Sequence, residues 1–253
     1  MTDSTLFISD LHLSAERPAA TALFRRFLLE VATGTTALYI LGDLFEAWVG
    51  DDDLADPFNA DIATHLLQLA GTGVQTGFLH GNRDFVIGER FATAAGLTLL
   101  ADPHVIDLYG TPTLISHGDA WCTDDRIYQA YRTQVRDPAW QAAALSRPLA
   151  ERRAMARALR EQSESSKQGA SAEIMDVNTG AIEAAFRGHG VMRMIHGHTH
   201  RPARHACTVD GITRERWVLP DWYERGGYLA CDANGCHLMV YPSPLLPPLK
   251  GRA

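Results

Sequence analysis

The sequence predicts an α/β layered fold, on two observations. Apolar runs of five or six residues alternate with segments whose apolar side chains recur at helical spacing. Five of those runs also end in a carboxylate, imidazole or amide, generally beside glycine. Open α/β sheets bind their ligands at the carboxyl ends of the strands.

The runs TLFIS (5–9), ALYIL (37–41), QTGFL (75–79), TPTLIS (111–116) and VMRMI (191–195) read as buried strands. Between the first two, Pro18 suits the first turn of a helix. Leu23, Phe24, Phe27, Leu28 and Val31 follow at helical spacing, and Gly34 closes the run. Asp56-Pro57 opens a second helix before Ile62, Leu66, Leu67 and Leu69. After residue 200 the pattern changes to two hairpins, turning at Asp210-Gly211 and at Asn234-Gly235. The proline-rich tail 243–253 predicts disorder.

Residues 121–170 differ again. They carry nine Lys/Arg against six Asp/Glu, a net +3, leaving −10 for the rest of a chain whose formal charge is −7. Ala-rich stretches there favour helix, broken at Pro138 and Pro148. The expectation is one domain over 1–242, with a basic helical cap inserted at about 121–175. Arginines alternate in it with Leu145, Leu149, Met155 and Leu159, side chains suited to an apolar cleft or to anionic headgroups. The acidic Asp51-Asp52-Asp53 run reads as a solvated loop.

An acidic chain with 46% hydrophobic and 21% charged residues is not a basic nucleic-acid binder, and no obligate protein partner is implied. Cys122, Cys207, Cys231 and Cys236 contain no CxxC pair. Cys231 and Cys236 could be neighbours across a hairpin, yet reduced thiols are the expectation. The N-terminus has no basic segment and reaches Asp10 too early for a signal peptide. No apolar stretch approaches the ~20 residues that span a bilayer, so any membrane contact is expected to be peripheral.

The strand ends carry the chemistry. They read Asp10-Leu11-His12, Gly42-Asp43, Gly81-Asn82-Arg83-Asp84, His117-Gly118-Asp119 and His196-Gly197-His198-Thr199-His200. Glycine lets the backbone turn sharply there and leaves room for an ion or phosphate. Mixed Asp, His and Asn ligands suit divalent metals such as Mn²⁺, Fe²⁺ or Zn²⁺. If the last segment were extended throughout, His196, His198 and His200 would share one face.

As an ordered set, DxH, GD, GN, GH and GHxH resembles the calcineurin-like metallophosphoesterase superfamily over residues 10–200. That resemblance implies a β-sandwich flanked by helices with two metals at the strand ends. Asp10, His12 and His200 would hold one metal, Asn82, His117 and His198 the other, and Asp43 would bridge. His196 falls outside the motif. Paired divalent ions acidify water and clamp a phosphoryl oxygen. On this pattern Asp43, Asn82, Arg83 and His117 are the candidate catalytic residues.

Many superfamily members have histidine after GN; this chain has Arg83. Arginine is a poor proton donor near neutral pH, but its fork can neutralise two phosphate oxygens, which suits a leaving group that is already a phosphate. The runs FISDLHLS, LYILGDLFEAWVGDD, HGNRDFVIGERF, SHGDAWCTDD, IMDVN and IHGHTHRPA closely resemble the UDP-2,3-diacylglucosamine hydrolase (pyrophosphatase) family of the lipid A pathway. This implies two Mn²⁺ per chain, UDP-2,3-diacylglucosamine as substrate, and peripheral attachment to the cytoplasmic side of a bacterial inner membrane. It also places Asn82, Arg83, Asp125, Ser163, Lys167 and His198 at substrate-contacting positions. Lys167 stands where the family pattern has asparagine, and Ala170 where it has lysine. The alternatives are a dinuclear phosphoesterase for nucleotides or phosphoproteins, or a metal-free scaffold.

Overall fold

The structure, a computed structural model, describes residues 3–167 and 176–242, with side chains except those of 161–167. The tail 243–253, the cap boundary at 175 and the side chains of Ser163 and Lys167 lie outside the described residues.

Three of the expected strands, β1 (Thr5–Ile8), β2 (Ala37–Ile40) and β3 (Gln75–Phe78), pair in parallel. A short β4 (Thr98–Leu99) extends their sheet on one side. The hairpin of β10 (Gly226–Asp232) and β11 (Gly235–Tyr241) extends it on the other, giving the order β11-β10-β1-β2-β3-β4. The second sheet joins β5 (His104–Leu108), β6 (Thr111–Ser116), β7 (Arg193–His196), β8 (Ala203–Val209) and β9 (Ile212–Val218) in the order β5-β6-β7-β9-β8. Neither β4 nor β5 carries an uninterrupted apolar run; β5 alternates instead, with His104, Ile106 and Leu108 more buried than Val105 and Asp107.

Alternation along each strand divides the core into layers. Phe7, Leu41 and Leu79 from the first sheet meet Ile115, Ile195 and Trp217 from the second. Leu6, Ile8, Leu38, Ile40 and Phe78 face the other way, onto α1 (Pro18–Phe27), α2 (Pro57–Ala70) and α3 (Glu89–Ala95) through Phe24, Phe27, Ile62, Leu66 and Phe91. On the far side Leu114 and Met194 meet Ile182 and Phe186 of α7 (Thr179–His189). The result is a β-sandwich with helices on both faces, as the resemblance implies. Pro18 and Pro57 both occupy the first helical turn, and Asp56 caps α2 by accepting from the Phe58 amide at 3.0 Å.

Two expectations change in the C-terminal hairpins. Val209 faces Ile212, so Asp210 and Gly211 form the two-residue turn as predicted, with φ of 53° and 77°. In the second hairpin Asp232 pairs with Gly235, which moves the turn to Ala233-Asn234. That register sets Cys231 opposite Cys236, and the two form a disulfide; Cys122 and Cys207 are not disulfide-bonded.

The remaining helices are α4 (Arg126–Val135), α5 (Pro138–Leu145) and α6 (Leu149–Lys167). They bury little apolar surface. Val135 is the one buried residue of α4, and α5 has none. Charge holds α4 and α6 instead. Arg152, 7% exposed, pairs with Asp52 and donates to the Val49 carbonyl, while Arg153 pairs with Asp53 and Asp56. The acidic loop is therefore not simply solvated. Asp53 is buried, and Asp51 accepts from the Gly88, Arg90 and Phe91 amides at the start of α3.

Candidate active site

The loops after β1 and β2 stay paired beyond the strands. Asp10 N donates to Gly42 O at 3.2 Å, His12 N to Asp43 O at 3.0 Å and Leu13 N to Leu44 O at 2.9 Å. On the other sheet Gly197 N donates to His117 O at 2.9 Å. These bonds hold the loops while the backbone takes costly conformations. Among the described residues seven non-glycine positions have positive φ, and five of them are Asp10, His12, Asp43, His198 and His200. Such conformations cost of order 1–3 kcal/mol each and cluster at functional sites.

Glycine serves the same convergence, though not as expected. A Cβ on Gly42, at φ +85°, would meet the Gly81 backbone at 2.5 Å, and one on Gly197 would collide with Ser9 and Asp10. The room they leave is filled by neighbouring loops.

The side chains then gather. Asp10, His12 and His200 bring ligand atoms within 4.8 Å of one another, and so do Asp10, Asp43 and His117. Asp10 belongs to both groups, and Asp43, a member of the second, also faces the first: its Oδ2 is 3.7 Å from His12 Nε2 and its Oδ1 3.8 Å from His117 Nε2. Asn82 Oδ1 is 2.9 Å from both His117 Nε2 and His198 Nδ1, and those nitrogens are 3.2 Å apart. All seven residues expected as ligands are brought together.

Their chemistry fits divalent cations. Asp10 Oδ1 and both ring nitrogens of His12 are buried without a hydrogen-bond partner among the described residues; a positive ion would satisfy the carboxylate oxygen and the one ring nitrogen that carries no proton. Burial, then the neighbouring Asp84 and Asp10, push the Asp43 carboxyl up to about 7. Burial works against the charged form of His117, but Asp43 and Asp10 outweigh it and hold the ring protonated to about 9. Those carboxylates are drawing positive charge onto the ring. Since the Leu41 carbonyl fixes His117 Nδ1 at 2.9 Å, Nε2 is the atom turned to the cluster. Burial first, then His117, lowers His198 to about 3, and burial also lowers His12, leaving both as neutral donors.

Surrounding groups fix the ligands. Asp84, fully buried, accepts from the Gly81, Leu44 and Asp43 amides and locks two ligand loops together. Asp119, equally buried, accepts from Tyr128 Oη at 2.5 Å and Arg132 Nε at 2.9 Å, tying α4 to the sandwich beside His198. Both stand in the strand-end motifs, beside residues expected as ligands.

The alternate histidines do not share a face. β7 ends at His196, which is buried against Trp121 and contacts Arg216 Nη1 at 3.0 Å. Burial, then Arg216, hold it down to about 3. Left-handed backbone at His198 and His200 then turns those two rings into the cluster.

Of the expected substrate contacts, Asn82 and His198 lie in the cluster. The Arg83 amide donates to Asp43 Oδ1 at 2.8 Å, and its Nε is buried without a hydrogen-bond partner among the described residues. Asp125 caps α4 by accepting from the Tyr128 amide at 2.9 Å. The Ser163 and Lys167 side chains are outside the described residues.

No family model matches the chain. Curated relatives do. UDP-2,3-diacylglucosamine hydrolase of Aromatoleum aromaticum is 53% identical over 232 residues, covering 92% of this chain and 94% of the relative. The protein of that name from Stenotrophomonas maltophilia is 52% identical over 242 residues, covering 93% and 97%. Among solved structures, a novel archaeal phosphodiesterase aligns with 94% of this chain and 99% of its own at 12% identity and TM-score 0.46, too distant to argue from. At half identity over nearly the full length of both partners, this chain belongs to the UDP-2,3-diacylglucosamine hydrolase family.

Proposed function

We propose that this enzyme hydrolyses the pyrophosphate of UDP-2,3-diacylglucosamine in lipid A synthesis. Water attacks the α-phosphorus, the bond from that phosphorus to the bridging oxygen breaks, and the products are UMP and 2,3-diacylglucosamine 1-phosphate. The observation that carries this is the position of Asp43 between two ligand clusters, in a chain of this family.

Two Mn²⁺ are the proposed cofactors, one held by Asp10, His12 and His200, the other by Asn82, His117 and His198, with Asp43 shared. When bound, such a pair supplies an acidified water and stabilises charge developing on the phosphoryl oxygens. The protein's own groups do the rest. Asp10 and Asp43 concentrate negative charge where the cations belong. Asn82 turns its carbonyl oxygen to His117 and His198, which leaves its amide to donate to a phosphate oxygen. Arg83 neutralises the phosphate with its fork and provides no proton. None is needed, because the departing oxygen leaves on a phosphate that spreads its charge.

Residues 1–242 form one domain in this reading, and 121–175 serve as its cap. Asp125, Ser163 and Lys167 would contact the substrate from the cap, and its apolar side chains would cover the acyl chains. The proposed location is the cytoplasmic face of the inner membrane, as a peripheral protein. Among the described residues no helix is long and apolar enough to cross a membrane.

The test compares UDP-2,3-diacylglucosamine, UDP-glucose and an aryl phosphate, with and without Mn²⁺. Mn²⁺-dependent release of UMP from the lipid substrate is expected. Turnover confined to the aryl phosphate would overturn the substrate assignment, and undiminished turnover after removal of all metal would overturn the mechanism.

A further inference from the structure

His12 is expected to meet its metal through one ring nitrogen, and the other faces Glu46. Nε2 looks toward Asp43 Oδ2 at 3.7 Å, and Nδ1 lies 3.5 Å from Glu46 Oε2. Glu46 is a buried carboxylate, 6% exposed, and its backbone is fixed on the same ladder as the ligand: Glu46 N donates to Leu13 O at 3.0 Å, one residue beyond His12. Its second oxygen points to the helical segment, with Oε1 3.4 Å from Arg160 Nε on α6. Eight and seven residues earlier on the same helix, Arg152 and Arg153 grip the loop of Asp52, Asp53 and Asp56. Helix rise puts ~12 Å between that grip and Arg160, so one rigid element carries both contacts.

We propose that Glu46 is a positioning residue: it orients His12 for its metal, and through Arg160 it couples that ligand to the seating of α6. His12 Nδ1 makes no hydrogen bond among the described residues, and Glu46 Oε2 at 3.5 Å is the acceptor that faces it. The physical reason is general. A histidine ligand whose second nitrogen donates to a carboxylate has its tautomer and ring angle fixed and its basicity raised, and losing such a partner costs about 10–100-fold in metal affinity. Here the carboxylate is shared with a helix outside the sandwich. Seating of α6 and occupancy of the His12 metal site therefore favour one another, and such coupling is reciprocal. The proposal rests on the assignment of His12 as a ligand.

The experiment is Mn²⁺ titration of metal-stripped full-length protein, followed by electron paramagnetic resonance of free Mn²⁺, with melting temperature read in parallel. Wild type, Glu46→Gln, Glu46→Ala and Arg160→Gln are compared. Glu46→Gln, nearly isosteric, should weaken one of two sites about tenfold and Glu46→Ala up to about 100-fold, the other site being little changed. Arg160→Gln should weaken the same site by a smaller factor and add nothing in the double variant with Glu46→Ala. Unchanged Mn²⁺ affinity in a folded Glu46→Gln protein overturns the proposal, even if melting temperature falls. Additive losses in the double variant overturn the link to α6. Failure of the wild type itself to bind Mn²⁺ overturns the ligand assignment on which the proposal stands, a result distinct from either.

Discussion

The strand-end loops and the α4–α6 segment are held by opposite means. Around the loops, side chains such as Phe7, Ile8, Phe24, Phe78 and Ile115 are fully buried, each stabilising the fold by about 1.5–3 kcal/mol. That packing and the backbone ladder support five left-handed ligand positions. The helices gain little from apolar burial. Asp119 and Asp102 hold α4 through Arg132, and Asp52, Asp53 and Asp56 hold α6 through Arg152 and Arg153. The converging loops are built into a dry core; the helical segment is fastened by charge at its edge.

The sharpest way to break that contrast is Asp43→Ala. It removes the carboxylate whose two oxygens face His12 and His117, so kcat/KM should fall by on the order of 10³-fold or more, with loss of bound metal. A smaller loss would mean that Asp43 is not shared. Next comes the pair His198→Ala and His196→Ala. The first should cost roughly 10²-fold in turnover. The second should cost little turnover but about 1–3 kcal/mol of stability, since it leaves Arg216 without its buried ring partner. Equal losses of turnover would reverse the assignment.

For the helical segment, replacing Asp52 and Asp53 by Ala should raise KM for the diacyl substrate about tenfold while sparing hydrolysis of a small aryl diester. Arg152, nearly buried, would be left without its carboxylate partner; the half-exposed Arg153 pair contributes less. If both substrates suffer equally, α6 belongs to the hydrolytic machinery itself.

The smallest effect is on pH. A hydrogen bond from Arg152 holds Asp52 below the ordinary carboxylate range. A depressed folded-state pKa contributes stability above the unfolded value of ~3.9, and this is lost as pH falls through the folded-state value. Proteolysis within α6 should therefore rise on acidification below about pH 4 in wild type and change less in Asp52→Asn. Equal pH responses would show that this carboxylate does not fasten the helix.

The sequence made the parallel strands, the capped helices and the side chains that converge legible, because each leaves a local signature: an apolar run, a Pro at the first turn, a carboxylate, imidazole or amide at a strand end. What it hid is non-local. β5 lacks a continuous run because only one of its faces is buried. By spacing alone His196, His198 and His200 look equivalent; the family motif sets His196 apart, and backbone φ shows why. Asp52 and Asp53 read as a solvated loop because their arginine partners lie a hundred residues away. Glu46 gave no signal because its role depends on His12 and Arg160 arriving from other elements.

The most direct test is anomalous diffraction from crystals grown with Mn²⁺. The expected result is two peaks, one bounded by Asp10, His12 and His200 and the other by Asn82, His117 and His198, with Asp43 reaching both. A single peak, or ions bound elsewhere while the protein turns over its substrate, would contradict it.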